Sequence, residues 1–185
     1  GLVRSKVDLI VGRSTPTALA AKRATATIPI VMTNAGDPVA AGLVASLARP
    51  GGNVTGNAGL SPELGTKRLE VLKDAVPKLT RVGLLRPQGS AVGVDLQLKE
   101  VRPAAVALQL KLEEIETQPD PKGVESAFQI AKQKRVDGIM TASNRLFFEE
   151  RRRIGELAAK YRFPAIYPEK GFVDEGGLMS YGVDF

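Results

Sequence analysis

Seven or eight short hydrophobic runs alternate with amphipathic stretches along this chain, and almost every strand-to-helix loop carries small polar residues. Val7-Asp8-Leu9-Ile10-Val11 leads into Gly12-Arg13-Ser14-Thr15-Pro16, where a hydroxyl can cap the next helix and proline opens its first turn. Ala18, Leu19, Ala21 and Ala24 keep that helix slim enough to approach a sheet closely. The run 28–33 is apolar on both faces, as a strand covered by helices on each side must be. Asp37-Pro38 predicts a helix over 39–48 by the same cap-plus-proline logic, stopped by the turn Arg49-Pro50-Gly51-Gly52-Asn53. A short strand, Val54-Thr55-Gly56, follows. Ser61-Pro62-Glu63 then opens a helix whose period is traced by Leu64, Arg68, Leu69, Leu72 and Val76, and Pro77 ends it.

The same rhythm continues beyond Pro77. A strand over 81–85 precedes a glycine-containing loop, 86–93, that holds Ser90; a helix over 94–107 has Pro103 as a kink or boundary. A strand near 111–116 and the loop Gln118-Pro119-Asp120-Pro121 lead to a helix marked by Val124, Ala127, Phe128 and Ala131. The strand 136–141 runs into Ser143-Asn144, one long charged helix is predicted over 146–161, and strands at 165–167 and 178–181 close the chain. Alternation of this kind is the mark of an α/β protein with parallel sheets flanked by helices. A composition break over 61–80, between an Ala/Gly-rich first third and a more charged remainder, marks a domain boundary.

The absence of cysteine and histidine removes disulfides, thiolate nucleophiles, and histidine-based triads or metal sites from consideration. No apolar run approaches the ~18–20 residues that would span a bilayer. A net charge of +6 would suit a nucleic-acid binder, but the charges are scattered. Their one tight run, Arg151-Arg152-Arg153 after Glu149-Glu150, reads as the solvated face of a helix. Neither GxGxxG nor GxxxxGK[ST] occurs, so dinucleotide and P-loop chemistry lack their phosphate cradles. No cofactor and no metal are expected.

Open parallel sheets bind ligands at the carboxyl ends of their strands, and the loops there define the candidates. The segment Gly12 to Pro16 offers free N–H groups and the positive end of a helix, which suits a carboxylate; the alternative is plain capping by Ser14 or Thr15. Asp37 is either a cap or the partner of a ligand ammonium group. Ser90 and the pair Ser143 and Asn144 occupy corresponding loops of the second half. Tyr167 could stack on a bound ring or simply wall a cleft, and Glu169 follows it. Among acids only Asp37, Glu169 and Asp184 stand where a paired-carboxylate site would need them, while Glu113-Glu114 reads as solvated. Hydroxyl- and amide-rich loops without a catalytic set are the expectation for a small-molecule receptor, not an enzyme.

Residues 28–77 carry a more specific signal. The stretch Ile28-Pro29-Ile30-Val31, then Gly36-Asp37-Pro38-Val39-Ala40-Ala41-Gly42-Leu43-Val44-Ala45-Ser46-Leu47-Ala48-Arg49-Pro50-Gly51-Gly52-Asn53-Val54-Thr55-Gly56, resembles the substrate-binding proteins of ABC transporters. Lys67-Arg68-Leu69-Glu70-Val71-Leu72-Lys73, Phe163-Pro164-Ala165-Ile166-Tyr167-Pro168-Glu169 and Gly176-Gly177-Leu178-Met179-Ser180-Tyr181-Gly182 extend the resemblance. The loop Arg86-Pro87-Gln88-Gly89-Ser90 departs from the Asn-Pro-containing stretch usual there.

The resemblance implies a two-lobe type I periplasmic-binding fold, truncated here at both ends, with its export signal upstream. Residues 1–76 would be a partial N-terminal lobe including a connecting helix, 61–76, and residues 77–185 the C-terminal lobe. It implies an exported, periplasmic solute receptor of an importer, with a permease and an ATPase as partners and no contact with nucleic acid. A small organic ligand, an amino acid or an aromatic compound, would meet Ser14, Thr15, Asp37 and Asn57 from one lobe. Ser90, Ser143, Asn144, Tyr167 and Glu169 would meet it from the other. Two rival expectations are the effector domain of a LacI-type regulator and an α/β sugar-nucleotide transferase.

Overall fold

A computed structural model describes residues 1–59, 61–89, 92–118 and 120–183. The chain forms two compact units: Gly1–Leu60 with Ala91–Leu96, and Ser61–Ser90 with Gln97–Phe185. The helix at 61–75, grouped with the first lobe on sequence grounds, therefore counts with the second unit.

The first unit is a three-stranded parallel sheet of β1 (Ile10–Gly12), β2 (Ile30–Ala35) and β3 (Val54–Ala58), in that order, with helix α1 (Thr15–Ala24) against it. Alternation along β1 and β2 sends Ile10, Ile30 and Met32 to one side, where Ala18, Leu43, Val44 and Val54 complete a core. The small residues of α1 serve the expected purpose: a Cβ on Gly12 would lie 3.0 Å from the Ala18 backbone. Gly56, at φ +135°, brings β3 so near β2 that no side chain fits against the Met32 carbonyl.

The other side of this sheet is partly exposed among the described residues. Val11, Val31 and Thr55 form one row across the three strands, and Val11 is 58% and Leu9 49% exposed.

No helix forms over 39–48. Ala41 N–H donates to the Asp37 carbonyl, Gly42 N–H to Val39, and both Leu43 and Val44 N–H to Pro38, a chain of turns instead. Gly42 sits in the left-handed region at φ +69°, which ends any helical run there. Leu43 and Val44 are thereby turned into the core, and the Lys22 ammonium takes up the Gly42 and Leu43 carbonyls.

The second unit holds a five-stranded parallel sheet built from β4 (Arg81–Pro87), β5 (Lys111–Thr117), β6 (Gly138–Thr141), β7 (Ala165–Tyr167) and β8 (Met179–Ser180). Their spatial order is β5-β4-β6-β7-β8. Helix α2 (Ser61–Ala75) packs on β6 and β7, and α3 (Val92–Ala107) runs straight through Pro103. Helix α4 (Pro121–Gln133) packs on β5, capped by the Asp120 carboxylate at Gly123 N–H, and it buries Val124, Ala127, Phe128 and Ala131 as the periodicity requires.

The long helix expected over 146–161 is divided into α5 (Arg145–Glu149) and α6 (Arg151–Tyr161). Glu150 leaves helical geometry, and its N–H reaches back to both Leu146 and Phe148 carbonyls. A four-residue helix, α7 (Gly171–Asp174), had no sequence signal; it exists to bury Phe172 beneath Tyr167.

Edge strand β5 is lined by ion pairs rather than by free acids. Glu113 lies 2.9 Å from Lys111 and 3.0 Å from Lys134, and Glu114 lies 2.7 Å from Arg102 and 3.2 Å from Arg86. Arg86 also pairs with Glu116. The departure at 86–90 thus begins with a residue that clamps β4 to β5. No helix among the described residues is long and apolar enough to cross a membrane.

Candidate functional site

On the carboxyl rim of the first sheet, the polar side chains are occupied by backbone. Ser14 precedes α1, its N–H donates to Thr17 Oγ1 at 3.0 Å, and the two hydroxyls are in contact. Thr15 is 3% exposed, and its Oγ1 accepts the Gly36 N–H at 3.0 Å, tying the end of β1 to the end of β2. Asp37 Oδ1 accepts from Val39 N–H at 3.1 Å and Ala40 N–H at 2.9 Å. Of the two roles open to Asp37, capping the turn is the one occupied here. Asn57 is exposed on β3.

The second rim is built differently. In the order β5-β4-β6-β7-β8 the connection after β4 runs to one side and the connection after β6 to the other, so the topological switch point of the sheet lies at the carboxyl ends of β4 and β6. Ser90 and Asp184 fall outside the described residues. After β6, Asn144 is spent as the cap of α5, accepting from Leu146 N–H at 2.9 Å.

Ser143 is held from three directions. Its N–H donates to Gln97 Oε1 at 2.8 Å, its carbonyl accepts from Gln97 Nε2 at 3.1 Å, and its hydroxyl accepts from Arg68 Nη2 at 3.2 Å.

Arg68, on α2, is the largest of the fully buried side chains among the described residues, 1% exposed. Its Nη1 donates to the Tyr181 carbonyl at 3.2 Å, its Nε has no hydrogen-bond partner, and it forms no ion pair among the described residues. Burial pulls this guanidinium down to about 10, partly offset by the charge of Glu169. Glu169 follows β7 and is half-buried; desolvation pushes its carboxyl above the ordinary range against the pull of Arg68 and Arg151. Tyr167 is fully buried and stacked on Phe172 at 4.7 Å, with its hydroxyl unpartnered and its ionisation pushed up by burial. Its ring walls the unit from within.

Arg68 and Gln97 are the residues that sequence reasoning left out of the site. A signal existed for the first: an arginine standing in the apolar stripe Leu64, Leu69, Leu72, Val76. Gln97 gave none. No cluster of three or more potential metal-binding side chains occurs among the described residues.

All-parallel α/β units with polar groups gathered where the strands end form the architecture of small-ligand binding proteins. The family model described as ABC transporter substrate binding protein matches residues 1–185, and the chain belongs to that family. It is 32% identical over 189 residues to a tyrosine-binding protein of Clostridioides difficile (strain R20291). It is also similar to the crystal structure of a conserved domain protein from Vibrio cholerae, with TM-score 0.86, 32% identity and 99% of the chain covered. An ABC domain from Streptococcus pneumoniae in complex with L-Trp superposes with TM-score 0.86 at 27% identity, again over 99% of the chain. The chain spans 52% of the curated relative and 60% of each of these two solved chains. The resemblance read from residues 28–77 and the α/β class with parallel sheets are both borne out.

Proposed function

We propose that this chain forms part of an exported solute receptor that delivers a small organic ligand, an aromatic amino acid, to the permease and ATPase of an ABC importer. The family match over all 185 residues carries the reading. Relatives named for tyrosine and solved with L-Trp support the ligand class. The two units act as lobes, ligand contacts from both favour a closed state, and the membrane subunits recognise that state. Binding, not catalysis, is the task. On the second unit, Ser143 and Glu169 are partly exposed and keep polar atoms not consumed by capping, whereas Tyr167 is enclosed; in this reading the first two supply the ligand contacts there. In this reading the first unit contributes backbone N–H groups of the helix N-terminus at Ser14 and Thr15, with Asp37 in the loop after β2 and Asn57 on β3.

The test is a thermal-shift and calorimetric screen of the full-length gene product against the amino acids and simple aromatic acids. A ligand at 100 times its dissociation constant adds about 2.7 kcal/mol. For a protein of this size that raises Tm by roughly 5–10 °C. L-Tyr or L-Trp should give such a shift; silence across the whole panel overturns the reading.

A further inference from the structure

The hydrogen bond between Arg68 and Ser143 has a direction that chemistry fixes. A guanidinium has five donors and no acceptor, so Ser143 Oγ is the acceptor in the 3.2 Å contact, and its own proton must go elsewhere. No acceptor for that proton exists among the described residues. Gln97, bonded to both the N–H and the carbonyl of Ser143, fixes the backbone from which the hydroxyl projects. Ser143 itself is half-buried and stands at the carboxyl end of β6, beside the point where the sheet connections diverge. Behind it lies a cation that is 1% exposed and has no ion pair among the described residues. Its counter-charge, Glu169, stands outside ion-pair distance, and a buried charge so compensated favours a further anion nearby.

We infer that Arg68 is a positioning residue that acts through Ser143, holding its hydroxyl as a donor aimed at a carboxylate oxygen of the ligand and so selecting ligands that carry a carboxylate. This rests on the receptor reading above and adds to it the ligand group that the second unit recognises. Arg68 need not touch the ligand: it occupies a lone pair of Ser143 Oγ, orients the O–H outward and supplies positive potential behind it.

The experiment compares L-tryptophan with L-tryptophanamide, and L-tyrosine with L-tyrosinamide, by calorimetry on the full-length protein and its variants. Wild type should bind the acids roughly 10- to 100-fold more tightly than the amides, the range for a hydrogen bond to a charged group. Ser143→Ala and Arg68→Met should each cut that ratio at least several-fold. The double variant should lose little beyond either single one, because the two residues act in series. A purely structural Arg68 would weaken acid and amide alike and leave the ratio intact. Acid-to-amide ratios unchanged in Ser143→Ala overturn the inference while leaving the receptor standing. If neither acid nor amide binds wild type, the receptor reading falls first. Should Arg68→Met not fold by circular dichroism, Ser143→Ala alone decides, since it removes one half-buried hydroxyl.

Discussion

The two sheet rims use the same kinds of residue for opposite ends. On the first, Ser14, Thr15 and Asp37 spend their oxygens on neighbouring backbone or hydroxyl groups, which is how a tight loop satisfies its own amides. On the second, Ser143 retains a proton with no acceptor among the described residues, Glu169 is desolvated without a close partner, and a guanidinium sits behind them in the interior. Loops rich in serine, threonine and aspartate are therefore ambiguous by composition. What separates a cap from a binding group is whether its hydrogen-bonding capacity is exhausted locally.

The sharpest way to break this contrast is Arg68→Ala. It leaves the Tyr181 carbonyl and Ser143 hydroxyl without their donor and opens a cavity beneath the rim. Loss of stability of about 3 kcal/mol is expected in urea unfolding. A change below about 1 kcal/mol would show that the guanidinium is not held as described.

Next in size is Thr15→Val, nearly isosteric, which strands the part-buried Gly36 N–H. It should cost about 1–2 kcal/mol of stability and leave the affinity ratio between acid and amide ligands untouched. Ser143→Ala takes an acceptor from the buried Arg68 guanidinium and should also cost about 1 kcal/mol, but it should alter the discrimination. Equal behaviour of the two variants would erase the distinction between the rims.

The smallest effects come from two carboxylates of the second unit that differ in sign. Glu113, between Lys111 and Lys134, is lowered from 4.5 to about 2. Its contribution is complete above pH 4.5 and fades as the pH falls toward 2, so Glu113→Gln should flatten the acid limb of the stability profile. Because both lysines are exposed, solvent keeps this effect small. Glu169 is raised by desolvation, so its charged form costs stability as the pH climbs past the ordinary carboxylate range. Glu169→Gln should accordingly be neutral or mildly stabilising at pH 7. Parallel pH titrations of the two variants, followed by thermal melts, give the comparison directly.

Much of the architecture was legible before any coordinates. Short apolar runs closed by Gly, Pro, Ser and Asp located every strand to within a few residues, although β1 is Ile10–Gly12 rather than 7–11 and β8 only Met179–Ser180. The failures have local causes. At 39–48 the cap and proline signals were real, but Gly42 adopts a left-handed conformation that periodicity does not reveal. The break at Glu150 and the short helix α7 are imposed by tertiary burial of Phe147 and Phe172, a long-range demand with no local code.

For the site, spacing named the right loop after β6 but could not divide the work between its two residues, Asn144 capping and Ser143 pinned. Arg68 advertised itself as a charge in an apolar stripe. Its partners lie 75 and 113 residues further along, at Ser143 and Tyr181, a separation no motif reading reaches.

The row Val11, Val31, Thr55 gives the first unit a largely non-polar terrace on which Val11 is 58% exposed among the described residues. A parallel sheet is a two-sided object and wants cover on both. In dilute buffer a face of this kind satisfies that demand with whatever is at hand, another molecule of itself or the walls of the vessel.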